Sequence, residues 1–167
     1  MAGTYDESIE IDEGLALVGN GTTSSIINGT GGGDDVIDIT ANGAYLSGFR
    51  VLASEDGYGI YLSGSNNTVN DCKVGGDSNA NGDAGIYVSG SNNTISNNTV
   101  DDNEDYGILV PGSNNLIINN YTNHGWGLLS EYLLLEKGYK VYGAQRRNTG
   151  KRYWRLDELG IRLINKN

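Results

Sequence analysis

"GIYLSGSNNTVNDCKV" (Gly59–Val74) is followed 26 residues later by "GIYVSGSNNTISNNTV" (Gly85–Val100), and 22 residues after that by "GILVPGSNNLIINNYT" (Gly107–Thr122). A degenerate copy, "VIDITANGAYLSGFRV" (Val36–Val51), precedes them by 23 residues, and a weaker one, "ESIEIDEGLALVGN" (Glu7–Asn20), lies earlier still. Ile60 and Leu62 are two residues apart, a spacing that turns both to one face of a strand. Gly, Ser, Asn and Asp then interrupt the apolar positions, and these residues favour turns. Each copy therefore supplies two or three strands too short to enclose a core alone.

Stacking the copies solves that problem, because equivalent residues then form ladders through a shared interior. The alignment gives five columns: Ile37, Ile60, Ile86 and Ile108; Ile39, Leu62, Val88 and Val110; Leu46, Val69, Ile95 and Ile117; Phe49, Cys72, Asn98 and Asn120; and Val51, Val74, Val100 and Thr122. At the parallel-strand spacing of about 4.8 Å, four to five coils make a stack roughly 20 Å long. The repeated Ser-Asn-Asn at 65–67, 91–93 and 113–115 predicts an asparagine ladder at one turn. Asn98 and Asn120, in an otherwise apolar column, predict a second ladder turned inward.

Composition narrows the classes. The 167 residues include 26 Gly, one Pro and 11 Tyr, and the recurring apolar clusters argue against a disordered chain. No run of 18 apolar residues occurs, so no membrane span is expected. The lone Cys72 excludes an internal disulfide framework and a cysteine-based zinc site. Residues 1–120 hold two bases and 17 acids, whereas residues 121–167 hold nine bases and four acids. So sharp a shift predicts two segments of different character, the first repelling nucleic acid and anionic lipid.

Residues 3–122 resemble the right-handed parallel β-helix family, in particular its NosD-like and archaeal surface-protein repeats. The expected fold is mainly β, a short right-handed parallel β-helix of about 4–5 coils spanning 1–122. "GTYDESIEIDEGLALVGNG" looks like the first coil of those domains, without the strand and cap that usually precede it. An uncovered first coil would favour self-association, through the open end or by exchange of the C-terminal segment.

Beyond Thr122 the periodicity changes. Leu128, Leu129, Tyr132, Leu133 and Leu135 recur at helical spacing. "YKVYGAQRR" reads as a strand and "GKRYWRLDELGIRLI" as a second helix. Residues 123–167 are thus expected to form an α/β tail, helix-strand-helix, with Trp126, Leu128, Leu129, Tyr132 and Leu133 capping the last coil. Residues 127–161 are also similar to the early part of GDP-mannose 4,6-dehydratases, which are Rossmann enzymes. That resemblance implies a first Rossmann helix and second strand, with Arg146 and Arg147 matching a pair that resembles a cofactor-phosphate contact. The family's three glycines fall on Asn120, Asn123 and Trp126, where side chains would block the approach of a pyrophosphate to the helix N-terminus. The chain is therefore read as a chimera, with neither a bound cofactor nor dehydratase activity expected.

Candidate sites are few. The acidic turns at Asp34, Asp35 and at Asp101, Asp102, Glu104, Asp105 have the oxygen chemistry of a Ca²⁺ site, but acids also keep turns solvated. Proton abstraction from a uronate would need a cation nearby, and the repeats offer only Arg50 and Lys73. His124, the one histidine, has no catalytic partner placed by sequence. Tyr61 and Tyr87, out of phase with Ile60 and Ile86, form a strip suited to sugar stacking or to stacking between coils. The expected function is a non-catalytic structural scaffold that associates with itself, the alternative being carbohydrate binding or processing on the β-helix face. The two resemblances point to different compartments, extracellular and cytoplasmic.

Overall fold

The computed structural model describes residues 2–29, 35–52, 57–76 and 81–122. The chain winds through sixteen short strands. The first turn of the winding holds β1 (Gly3–Tyr5), β2 (Ile9–Ile11), β3 (Ala16–Val18) and β4 (Ser25–Asn28). The next holds β5 (Ile37–Ile39), β6 (Tyr45–Ser47) and β7 (Arg50–Leu52), and the third holds β8 (Ile60–Leu62), β9 (Thr68–Asn70) and β10 (Lys73–Gly75). Then come β11 (Ala84–Val88), β12 (Thr94–Ser96) and β13 (Thr99–Asp101), followed by β14 (Tyr106–Leu109), β15 (Leu116–Ile118) and β16 (Tyr121–Thr122).

Every third strand pairs in parallel with the next, which gives three sheets and about five coils. Sheet one runs β1-β4-β7-β10-β13-β16, sheet two β2-β5-β8-β11-β14, and sheet three β3-β6-β9-β12-β15. Register follows the sequence columns. Ile37, Ile60, Ile86 and Ile108 are successive partners in sheet two. Leu46, Val69, Ile95 and Ile117 are partners in sheet three, and Val51, Val74, Val100 and Thr122 in sheet one. The weak first copy joins the same columns, with Ile9 on Ile37 and Leu17 on Leu46. Ile37, Ile60, Ile86, Leu46, Val69, Ile95, Val51, Val74 and Val100 are all fully buried. Each contributes about 1.5–3 kcal/mol relative to exposure.

The corners explain why strands end after three residues. Between sheets two and three, Asn66, Asn92 and Asn114 adopt φ of 59°, 58° and 57°, and Gly43 takes the equivalent place at 75°. Between sheets three and one the same reversal falls on Gly48, Asp71, Asn97 and Asn119. Asn and Asp tolerate this left-handed conformation better than other side-chain-bearing residues.

The asparagine after each reversal points inward. Asn67 Oδ1 accepts from Ala44 N at 2.7 Å, Asn93 Oδ1 from Asn67 N at 2.8 Å, and Asn115 Oδ1 from Asn93 N at 2.8 Å. Their amides donate back to the carbonyls of Ala41, Gly64 and Gly90. The second ladder is present too. Asn98 Oδ1 accepts from Cys72 N at 2.9 Å, and Asn120 Oδ1 accepts from Asn98 N at 2.9 Å. These bonds satisfy buried backbone groups at corners where no strand partner is available.

Cys72 packs in this second column at 2 % exposure. Burial pushes its thiol from an ordinary 9.0 to about 11. A thiol held protonated is a poor nucleophile. At pH about 8 the folded chain should resist alkylation at Cys72, and denaturant should restore labelling. Mass spectrometry checks this, and rapid labelling of the native protein would contradict it. The neutral thiol's share of stability is complete below 9.0 and is lost as pH rises through about 11.

The tail readings at Trp126, Leu128, Leu129, Tyr132, Leu133, Arg146 and Arg147, and the dehydratase resemblance over 127–161, lie outside the described residues. His124 and Asp34 do as well. Among the described residues no helix is long and apolar enough to cross a membrane.

Candidate functional site

Strand alternation that buries Ile60 and Leu62 turns Tyr61 outward, and the same holds for Tyr87 between Ile86 and Val88. Along the outer face of sheet two the in-register residues are Glu10, Asp38, Tyr61, Tyr87 and Leu109. Tyr61 and Tyr87 are half-buried, with ring centroids 5.5 Å apart. Tyr58, at the corner just before β8, joins them. Its ring stacks on Tyr87 at 4.4 Å and 13°, and on Tyr61 at 5.8 Å and 24°. The three rings make one aromatic slab across two coils. Ser89 Oγ donates to Tyr61 Oη at 3.4 Å, a contact between adjacent coils.

Carboxylates surround the slab. Asp35 Oδ1 accepts from Tyr58 N at 2.7 Å. Burial raises the Tyr58 hydroxyl above its ordinary value, and the charge of Asp83 is the next cause, with Asp35 adding to it. Asp38, in register beside Tyr61, has its carboxyl raised first by burial and then by Asp35 and Glu10. Asp38 Oδ1 is buried without a hydrogen-bond partner. The like charges of Asp35 and Glu10 beside Asp38 make its ionisation harder.

The cations among the described residues sit elsewhere. Arg50 and Lys73 are the only Lys or Arg among residues 2–122. They are register partners on sheet one, flanking the inward Val51 and Val74. Asp101, Asp102, Glu104 and Asp105 occupy the end of β13 and the corner leading to β14, and Glu104, Asp105 and Asp102 are exposed. Among the described residues no group of three or more His, Cys, Asp or Glu could hold a metal ion.

That corner also holds a buried pair that sequence reading missed. Asn81 Nδ2 donates to Asn103 Oδ1 at 2.6 Å, with both residues buried. Tyr58, Asp38, Asp83 and Glu10 were likewise not picked out. A signal for Tyr58 exists. Carrying each copy one residue upstream aligns Asp35, Tyr58, Ala84 and Tyr106, a column half aromatic. Large exposed apolar side chains are Leu15 and Val18 on the first coil, Tyr45 on the second, and Leu116, Ile118 and Tyr121 on the last described coil.

A three-sheet parallel coil with inward ladders defines a solenoid scaffold, and comparison assigns its family. A family model described as right handed beta helix region matches residues 25–131, more than half the chain. The chain belongs to that family. No curated protein and no solved structure matches it.

Proposed function

We propose that this β-helix is a non-catalytic scaffold that binds carbohydrate on the outer face of sheet two. The observation that carries the reading is the slab of Tyr58, Tyr61 and Tyr87, three half-buried rings held together across two coils. Faces stacked on one another are covered, so a sugar would meet the outer edges and hydroxyls of the cluster, which combine apolar C–H contact with hydrogen bonding. Coils repeat at about 4.8 Å, close to the rise of one hexose in an extended glycan. A rigid ladder therefore presents rings at a spacing that an oligosaccharide can follow without paying to order the protein. Absence of catalysis accords with the arrangement of charge, because among the described residues no cation is in register with the carboxylates on this face.

An oligosaccharide array probed with the full chain and with Tyr87→Ala tests the reading. The full chain should retain a subset of glycans, and Tyr87→Ala should weaken them about ten-fold or more, in line with loss of a stacked ring. Melting curves of the two proteins show whether the fold survives the substitution. A full chain that retains no sugar would contradict the reading.

A further inference from the structure

Four asparagines in the chain are followed directly by glycine: Asn20, Asn28, Asn42 and Asn81. Such a pair can modify itself, because glycine has no side chain to shield its backbone nitrogen from the preceding side-chain amide. We propose that Asn20 is the site of a spontaneous covalent modification, deamidation to aspartate and isoaspartate, and that the fold locks the other three pairs against it. The chemistry needs only water. Gly21 N attacks Asn20 Cγ, a C–N bond forms, and the bond from Cγ to Nδ2 breaks. Nδ2 takes the proton from Gly21 N and leaves as ammonia. Water then opens the cyclic imide at either of its two carbonyls. Opening at Cγ gives aspartate, and opening at the main-chain carbonyl gives isoaspartate, with the backbone rerouted through Cγ.

Hydrogen bonding separates the four pairs. Asn28 Nδ2 donates to Asp6 Oδ1 at 2.8 Å, and Gly29 N donates to the Leu52 carbonyl at 3.0 Å. Asn42 Oδ1 accepts from Ser65 N at 2.7 Å, and Gly43 N donates to the Ser65 carbonyl at 3.1 Å. Asn81 is fully buried, and its Nδ2 donates to Asn103 Oδ1 at 2.6 Å. In each of these pairs the amide is tied down, and in two of them the attacking nitrogen is as well. Asn20 differs. It is exposed, and neither its side-chain amide nor Gly21 N has a hydrogen-bond partner among the described residues. A Cβ at Gly21 would meet nothing within 4 Å, so the space beside the reacting nitrogen is open. The fold also keeps the reactive pair in place, since the φ of 97° at Gly21 favours glycine.

The modification would add a carboxylate to the first coil. The isoaspartate form would also add a methylene to the backbone between β3 and β4. That corner is closely tied: Gly19 N donates to the Ser47 carbonyl at 2.8 Å, and Asn20 N to Oγ of the buried Ser25 at 2.8 Å.

Incubation of the full chain in mildly alkaline heavy-oxygen water, with and without denaturant, tests this. Peptide mapping by mass spectrometry locates the incorporated oxygen, and electron-transfer fragmentation tells isoaspartate from aspartate. In the native chain Asn20 should convert about ten-fold or more faster than Asn28, Asn42 or Asn81, which must first break one or two hydrogen bonds. Denaturant should bring the rates together. Native conversion at Asn28, Asn42 or Asn81 as fast as at Asn20 would overturn the inference, as would an Asn20 that stays intact. The same margin for Asn20 in native and denatured chains would place the preference in the neighbouring sequence, and would overturn the locking of the other pairs by the fold.

Discussion

Gly90→Ala is expected to destabilise the chain by about 3 kcal/mol or more, the upper range for overpacking a closely fitted interior. Gly90 lies where one coil passes directly over another. A Cβ there would overlap the backbone carbonyl of Gly64, and would lie 2.6 Å from the carbonyl of Ser63. Neither obstacle is a flexible side-chain tip that could swing away. Gly64 stands in the same relation to the Ala41 carbonyl, and Gly112 to that of Gly90. Relief at Gly90 therefore requires its coil to move away from the coil that carries Ser63 and Gly64, which lengthens the strand hydrogen bonds between them. Gly3→Ala is the control, because its Cβ would meet nothing nearer than 3.7 Å, and it should change stability by less than about 0.5 kcal/mol. Urea denaturation followed by circular dichroism reads both. Equal midpoints for Gly90→Ala and the parent would show that the coils are not packed this closely.

Asn93→Ala should cost nearly as much, about 3 kcal/mol, for a different reason. Asn93 is 1 % exposed, and its amide group bonds the preceding coil twice. Oδ1 accepts from Asn67 N at 2.8 Å, and Nδ2 donates to the Gly64 carbonyl at 3.0 Å. Truncation leaves a buried donor and a buried acceptor unpaired, each at a cost of about 1–3 kcal/mol. Asn93→Asp keeps the acceptor, loses the donor and buries a charge, so it should be the worse substitution at neutral pH and should recover as acid protonates it. The neighbouring Asn92→Gly should be nearly silent, because Asn92 is exposed and its φ of 58° suits glycine. A stability loss at Asn92→Gly equal to that at Asn93→Ala would contradict the division of labour within the pair.

The interior was legible because identical chemistry recurs at each level. Once Ile60 is laid on Ile86, the register of sheets two and three and both asparagine ladders follow, and each pairing holds in the structure. Phase along the strand also showed that Tyr61 and Tyr87 face outward. The corner between sheets one and two was not legible. Three residues separate the strands there in the first coil, seven or eight in the next three and four in the last, so Asn81 and Asn103 do not fall into an aligned column. Tyr58 escaped for a related reason, since it lies one residue upstream of the glycine that marks each copy. Asp38 and Glu10 belong to the two most degenerate copies, and their place in line with the tyrosines emerges only from strand register.

The most direct measurement is an NMR titration of the full chain, labelled with ¹³C at its tyrosine rings, with the oligosaccharide that binds tightest. Tyrosine-to-phenylalanine variants assign the signals. The ring signals of Tyr58, Tyr61 and Tyr87 should shift together and saturate at one ligand concentration, while those of Tyr5, Tyr45 and Tyr121, away from this face, stay in place. Saturable shifts confined to other tyrosines, or no shift at any ligand concentration, would contradict a sugar-binding face on sheet two.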